Sequence, residues 1–176
     1  GISTPLIAHW PAGIKRKGEL DHQPGHLIDI LATCIEIGGV SYPKKKDGIK
    51  IKPLEGKSLN TAFKGKKIKR EALYWEHEGN RAVRVGDWKL VSEFPGPWEL
   101  YNIAEDRSET NNLINKEKEI ASDLEKKYGE WAKRCGVLDW PIRVDDESTR
   151  KIYSMNKNEV GLDPNITPLE IEEERR

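Results

Sequence analysis

The residues best suited to chemistry stand together in one short run, Glu76-His77-Glu78-Gly79-Asn80-Arg81. An imidazole, a carboxamide and a guanidinium so close in sequence supply hydrogen-bond donors for an anionic or hydroxylated ligand, and the guanidinium presents its donors as a fixed fork. His77, Asn80 and Arg81 are therefore the candidate substrate-binding residues. The same string also describes a charged hairpin, since Gly-Asn is ordinary turn chemistry. No activated Ser, Cys or Thr is legible beside a base, and His9, His22, His26 and His77 form no His-Glu-x-x-His motif. Neither a catalytic residue nor a metal site is assigned within the chain. Cys34 and Cys135 are too few and too far apart for a metal knuckle, and each falls in an apolar helical pattern where a small buried thiol is expected.

Side chains of this kind act only if a frame holds them. Ala72-Leu-Tyr-Trp75, Ala82-Val-Arg-Val85, Trp88-Lys-Leu-Val91 and Trp98-Glu-Leu-Tyr101 read as four short strands, separated by Gly79-Asn80, Gly86-Asp87 and Pro95-Gly-Pro97. Joined so tightly, they predict an antiparallel meander with one face to be covered. Glu117 to Cys135 supplies the cover: Ile120, Leu124, Tyr128, Trp131 and Cys135 recur on one helical stripe that Gly136 ends. Trp10, Trp75, Trp88 and Trp98 are expected in the core, with Trp98 the most exposed of them after Pro95-Gly-Pro97.

The first part of the chain reads differently. Pro5-Leu-Ile-Ala-His-Trp10, closed by Pro11-Ala-Gly13, predicts a buried strand and turn. After Pro24-Gly25 a helix is predicted over His26 to Ile37, its stripe Leu27, Leu31, Cys34 and Ile35, stopped by Gly38-Gly39. Lys44 to Arg70 carries eleven basic residues against Asp47 and Glu55, and reads as a surface connection with a short helix near Leu59 to Phe63. The fold class expected is thus α/β and α+β. Residues 1–70 form the end of an α/β domain with a basic surface loop, residues 71–140 a small antiparallel sheet plus helix, and residues 141–176 an extended tail.

Composition narrows the partners. In 176 residues, Lys+Arg and Asp+Glu each count 30, so the net charge is +0, which argues against a generic polyanion binder and against nucleic acid as a partner. The hydrophobic share of 36% implies a lean core. No run approaches the roughly 20 apolar residues of a membrane helix, so no membrane span is expected.

Taken in order, these segments resemble the C-terminal part of formylglycine-dependent sulfatases, in the alkaline-phosphatase-like superfamily. Gly1-Ile-Ser-Thr-Pro-Leu-Ile-Ala-His-Trp-Pro-Ala-Gly13 is similar to the strand after that family's Glu-Gly-Gly segment, and Pro24 to Thr33 to its His-Leu-Ile-Asp helix. Pro53-Leu-Glu-Gly-Lys-Ser-Leu59 resembles the loop that follows. Leu73 to Arg84, Gly86 to Val91 and Trp98 to Asn102 resemble three strands of its C-terminal sheet, and Asp106-Arg-Ser-Glu109 with Asn112-Leu113 the turn before its last helix. Ser3 and Ala32 depart from frequent Arg and Pro.

The resemblance implies hydrolysis of sulfate esters, aryl or carbohydrate, by an enzyme that uses calcium and a formylglycine made from the first residue of Cys-x-Pro-x-Arg or Ser-x-Pro-x-Arg. That signature occurs nowhere in this sequence. Both cofactor sites would therefore lie in an N-terminal catalytic part of the same protein, its expected partner beside a sulfated small molecule or glycan. The chain alone is expected to be inactive, contributing scaffold and one edge of the substrate cleft. Members are commonly periplasmic, secreted or lysosomal. Two alternatives stay open: a phosphodiesterase or phosphonate hydrolase of the same superfamily, and a non-catalytic module that binds sulfated glycans through Lys44 to Arg70.

Overall fold

A computed structural model describes residues 2–141, so the expected extended tail at 141–176 lies outside the described residues but for Pro141. The chain forms two compact units, the first ending at Leu73 and the second beginning at Tyr74.

In the first unit, α1 (Asp29–Ile37) packs on the short α2 (Asn60–Phe63), with a two-stranded antiparallel ribbon of β1 (Lys45–Lys46) and β2 (Ile49–Lys50) between them in sequence. Polar latches hold it. The carboxylate of Asp29, 0% exposed, accepts the backbone N–H of His26 and of Lys57, each at 2.8 Å, and pairs with the guanidinium of Arg70. Thr33 Oγ1 donates to Asp29 O at 2.7 Å and accepts Leu59 N–H at 2.9 Å. Asn60 Nδ2 donates to Glu36 Oε1 at 2.6 Å. Gly56 is required where the loop crosses α1, because a Cβ there would lie 2.1 Å from the carbonyl oxygen of Ile28.

Three expectations are corrected here. Pro5–Trp10 forms no strand, and Leu6 and Ile7 are exposed: among the described residues no neighbouring strand satisfies its backbone groups, and an apolar run becomes a strand only with a partner. In α1 the buried residues are Asp29, Ala32 and Thr33, while the stripe residues Leu27, Leu31 and Cys34 face outward. Hydrophobic periodicity identifies which residues share a face but not which face finds a partner. Cys135 is exposed too, so neither thiol is buried.

In the second unit, β3 (Leu73–His77), β4 (Asn80–Val85), β5 (Trp88–Ser92) and β6 (Glu99–Asn102) form an antiparallel meander in sequence order, as predicted. The ladder runs from Arg81↔Ser92 to Val85↔Trp88 between β4 and β5, and from Trp88↔Asn102 to Val91↔Glu99 between β5 and β6. Period-2 alternation sets Val83, Leu90 and Leu100 in line across the strands, all 0% exposed. Against this sheet packs α3 (Lys118–Cys135), burying Ala121, Leu124 and Tyr128; it ends at Gly136, whose φ of 74 is the left-handed cap conformation. Tyr74 stacks on Trp131 of α3 at 5.1 Å. The outer edge of β6 is covered, since Leu100 N–H donates to Asn112 Oδ1 and Leu113 N–H to Leu100 O.

Candidate functional site

The β3–β4 turn carries the polar constellation. Its two central residues are Glu78 and Gly79, with φ of 53 and 80, the twist that a two-residue hairpin demands. The turn thus sits one residue earlier than Gly79-Asn80, and Asn80 opens β4. Space as well as φ selects Gly79, because a Cβ there would meet the Phe94 ring at 2.8 Å and Trp140 Cβ at 2.9 Å. The amide of Gly79 also donates to Glu76 Oε1 at 3.1 Å.

Strand alternation divides the three candidates. Arg81 turns toward α3: its guanidinium carbon lies 4.3 Å from the centroid of Trp98, whose ring meets Tyr128 edge-on at 5.3 Å. Arg81 Nη2 donates to Ser92 Oγ at 3.3 Å, and that hydroxyl donates to Gly96 O at 2.9 Å. Asn80 braces the turn, donating from Nδ2 to His77 O at 2.9 Å and accepting Phe94 N–H on Oδ1 at 3.0 Å. His77 stands out at the end of β3, its side chain 82% exposed and its Nδ1 3.9 Å from Glu78 Oε2. The structure therefore places Asn80 and His77 at the turn and Arg81 in the layer between sheet and helix.

That layer has its own electrostatics. The hydroxyl of Tyr128 is buried without a hydrogen-bond partner. Burial pushes its pKa above the ordinary phenol value, the charge of Glu76 pushes the same way, and Arg81 pulls against both.

Residues that sequence reasoning passed over complete the surroundings. Val137, Leu138 and Trp140, beyond the α3 cap, join Cys135 and Gly136 beside Glu76, His77 and Glu78 to line a hollow of about 460 Å³. The usable signal was Trp140-Pro141 soon after a helix-ending Gly136, a bulky aromatic where a chain must turn back. The hollow offers an apolar wall, an imidazole and two carboxylates, a combination able to seat a ring and hydrogen-bond its substituents. Among the described residues no three of His, Cys, Asp and Glu lie close enough to hold a metal ion. The described residues therefore offer no set of ligands for a calcium ion, and the Cys-x-Pro-x-Arg or Ser-x-Pro-x-Arg signature from which a formylglycine is made is absent from the sequence.

Residues 1–134 match the family described as N-sulphoglucosamine sulphohydrolase, C-terminal. The chain belongs to that family. Among curated relatives, a sulfatase of Schizosaccharomyces pombe is 28% identical over 149 residues, covering 80% of this chain and 27% of the relative. An ulvan-active sulfatase of Formosa agariphila is 32% identical over 97 residues, covering 53% and 19%, and mouse N-acetylgalactosamine-6-sulfatase is 28% identical over 109 residues, covering 60% and 19%. The chain thus spans less than a third of the length of these relatives. A crystal structure of Ps i-CgsB superposes with a TM-score of 0.51 at 19% identity, over 81% of this chain and 30% of that one, which shows the fold. The architecture is that of the C-terminal part of a sulfatase-like fold, with the four-stranded antiparallel sheet packed on its long helix. No helix among the described residues is long and apolar enough to cross a membrane.

Proposed function

We propose that this chain is the C-terminal portion of a hydrolase that cleaves sulfate esters of aryl or carbohydrate substrates, supplying scaffold and one edge of the substrate cleft. The observation that carries the reading is the family match over residues 1–134. In this view residues 1–70 complete the main α/β domain, residues 71–140 form the buttressing sheet and helix, and an N-terminal catalytic part provides the reactive groups, including calcium and formylglycine.

The surface of the first unit supports a partner of that kind. Ile7 is 92% exposed, Leu27 79% and Leu31 52%, and Leu6 and Ile30 are exposed as well. Apolar surface of this density marks an interaction face rather than a finished exterior.

For the cleft, the proposal assigns the β3–β4 turn. His77 offers its imidazole to a sugar hydroxyl or sulfate oxygen beside the hollow, Asn80 fixes the turn that presents it, and Arg81, held over Trp98, adds a positive charge to the same hairpin. The test uses the complete enzyme. His77→Ala should raise KM with kcat little changed, as expected for a group that binds ground and transition states alike. Unchanged kinetics on every sulfated substrate tried, for both His77→Ala and Arg81→Ala, would remove the turn from the cleft.

A further inference from the structure

The ribbon of β1 and β2 concentrates positive charge in a way the function above does not use. Lys45, Lys46 and Lys50 are exposed on it, and Lys44 and Lys52 are exposed directly beside it. Lys45 stands directly opposite Lys50 and Lys46 opposite Ile49, and the ladder continues through Ile51 N–H to Lys44 O at 3.0 Å. Residues opposite each other share a face, so Lys45 and Lys50 stand on one side, and Lys52, two residues beyond Lys50 and just past the Ile51–Lys44 hydrogen bond, continues that side if the strand period of two is carried on. The turn Asp47-Gly48, with φ of 50 and 81, fixes this register, and Asp47 at the tip is the ribbon's one carboxylate. Like charges set directly across a ladder are destabilising, and a two-stranded ribbon has little stability of its own. Such an arrangement is relieved by a polyanion laid along it.

We infer that the ribbon is a binding surface for a sulfated polysaccharide chain, gripped by Lys45, Lys50 and Lys52. The choice of polysaccharide rests on the sulfate-ester reading above. It is also favoured over nucleic acid by composition: no aromatic residue occurs between Lys44 and Ala62 on which bases could stack. Ammonium groups on flexible stems suit separate sulfate groups, which need charge rather than a planar fork.

The test measures binding of the 176-residue chain to three probes: a fluorescent heparin oligosaccharide, the same oligosaccharide desulfated, and a DNA duplex of matched charge. Heparin should bind at least tenfold more tightly than either of the others. The triple variant Lys45→Gln, Lys50→Gln, Lys52→Gln should lose at least tenfold in heparin affinity, with the slope of log K against log salt falling by about 2 to 3. A control triple, Lys64→Gln, Lys66→Gln, Lys67→Gln, should lose less than about threefold. Replacing the ribbon lysines by Arg keeps the charge and should keep binding, which separates lost charge from lost folding. Full affinity in the Gln triple, equal affinity for the desulfated oligosaccharide, or DNA binding as tight as heparin would each overturn the inference. Because no hydrolysis is measured, a complete enzyme that releases no sulfate would sink the functional reading while leaving a ribbon that binds heparin in place.

Discussion

Arg81 lies over Trp98, its guanidinium carbon 4.3 Å from the ring centroid, so that one strand's charge rests on the aromatic residue that enters another. Trp98 is also held by α3, donating Nε1–H to Glu125 Oε1 at 3.1 Å. A double-mutant cycle on Arg81→Ala and Trp98→Leu, read by urea unfolding of the second unit's aromatic fluorescence, should give a coupling of about 0.5 to 2 kcal/mol. Additivity within about 0.3 kcal/mol would show that the stacking contributes nothing.

Asp29 is the latch of the first unit. Removing a carboxylate that holds two backbone N–H groups and a guanidinium leaves buried donors and an uncompensated charge, so Asp29→Ala should cost about 3 to 5 kcal/mol. Arg70→Met keeps both backbone contacts and should cost less. Hydrogen exchange of the Thr33 and Leu59 amides reports it; unchanged protection in Asp29→Ala would contradict the latch.

Much of the second unit was legible because each of its strands alternates and each turn is marked. Leu73 to Asn102 reads as four strands from side-chain period alone, and the stripe of Leu124, Tyr128 and Trp131 tells which face of α3 meets the sheet. The Arg81 stack was not legible, since alternation had to send Arg81 away from Asn80 before Trp98 could receive it. The first unit misleads for a physical reason. Its stabilising contacts are polar and distant in sequence, as in Asp29 with Arg70, while its apolar stripe at Leu27 and Leu31 points outward and mimics a core.

The exposed apolar residues of α1 make a differential prediction. In the isolated chain, Ile30→Gln and Leu31→Gln should change stability by less than about 0.5 kcal/mol, as substitutions at exposed positions do. In the complete protein each should cost about 2 kcal/mol, because the side chains would then be covered. Equal, small effects in both, by thermal unfolding, would mean that nothing packs on α1.

The turn before α3 carries a pH dependence. Asp106 is held below the ordinary carboxylate range chiefly by the backbone N–H of Asn111 at 2.8 Å, with Thr110 N–H at 2.8 Å and Thr110 Oγ1 at 3.2 Å adding to it against partial desolvation. A depressed folded-state pKa stabilises the fold above the unfolded value and loses that contribution as pH falls through the folded one. Between neutral pH and pH of about 5 the turn should be unaffected, and acidification below the ordinary carboxylate range should loosen it. Asp106→Asn should remove that part of the acid dependence, seen as flatter exchange protection of the Thr110 and Asn111 amides from pH about 5 downward; an unaltered profile would refute the assignment.

The most direct measurement compares sulfate release from a panel of aryl and carbohydrate sulfates by the purified 176-residue chain and by a longer protein carrying the proposed N-terminal catalytic part. The account predicts release by the longer protein and none by the chain alone. Turnover by the chain alone, or a longer protein that cleaves phosphonate or phosphate diesters and leaves every sulfate ester intact, would contradict it.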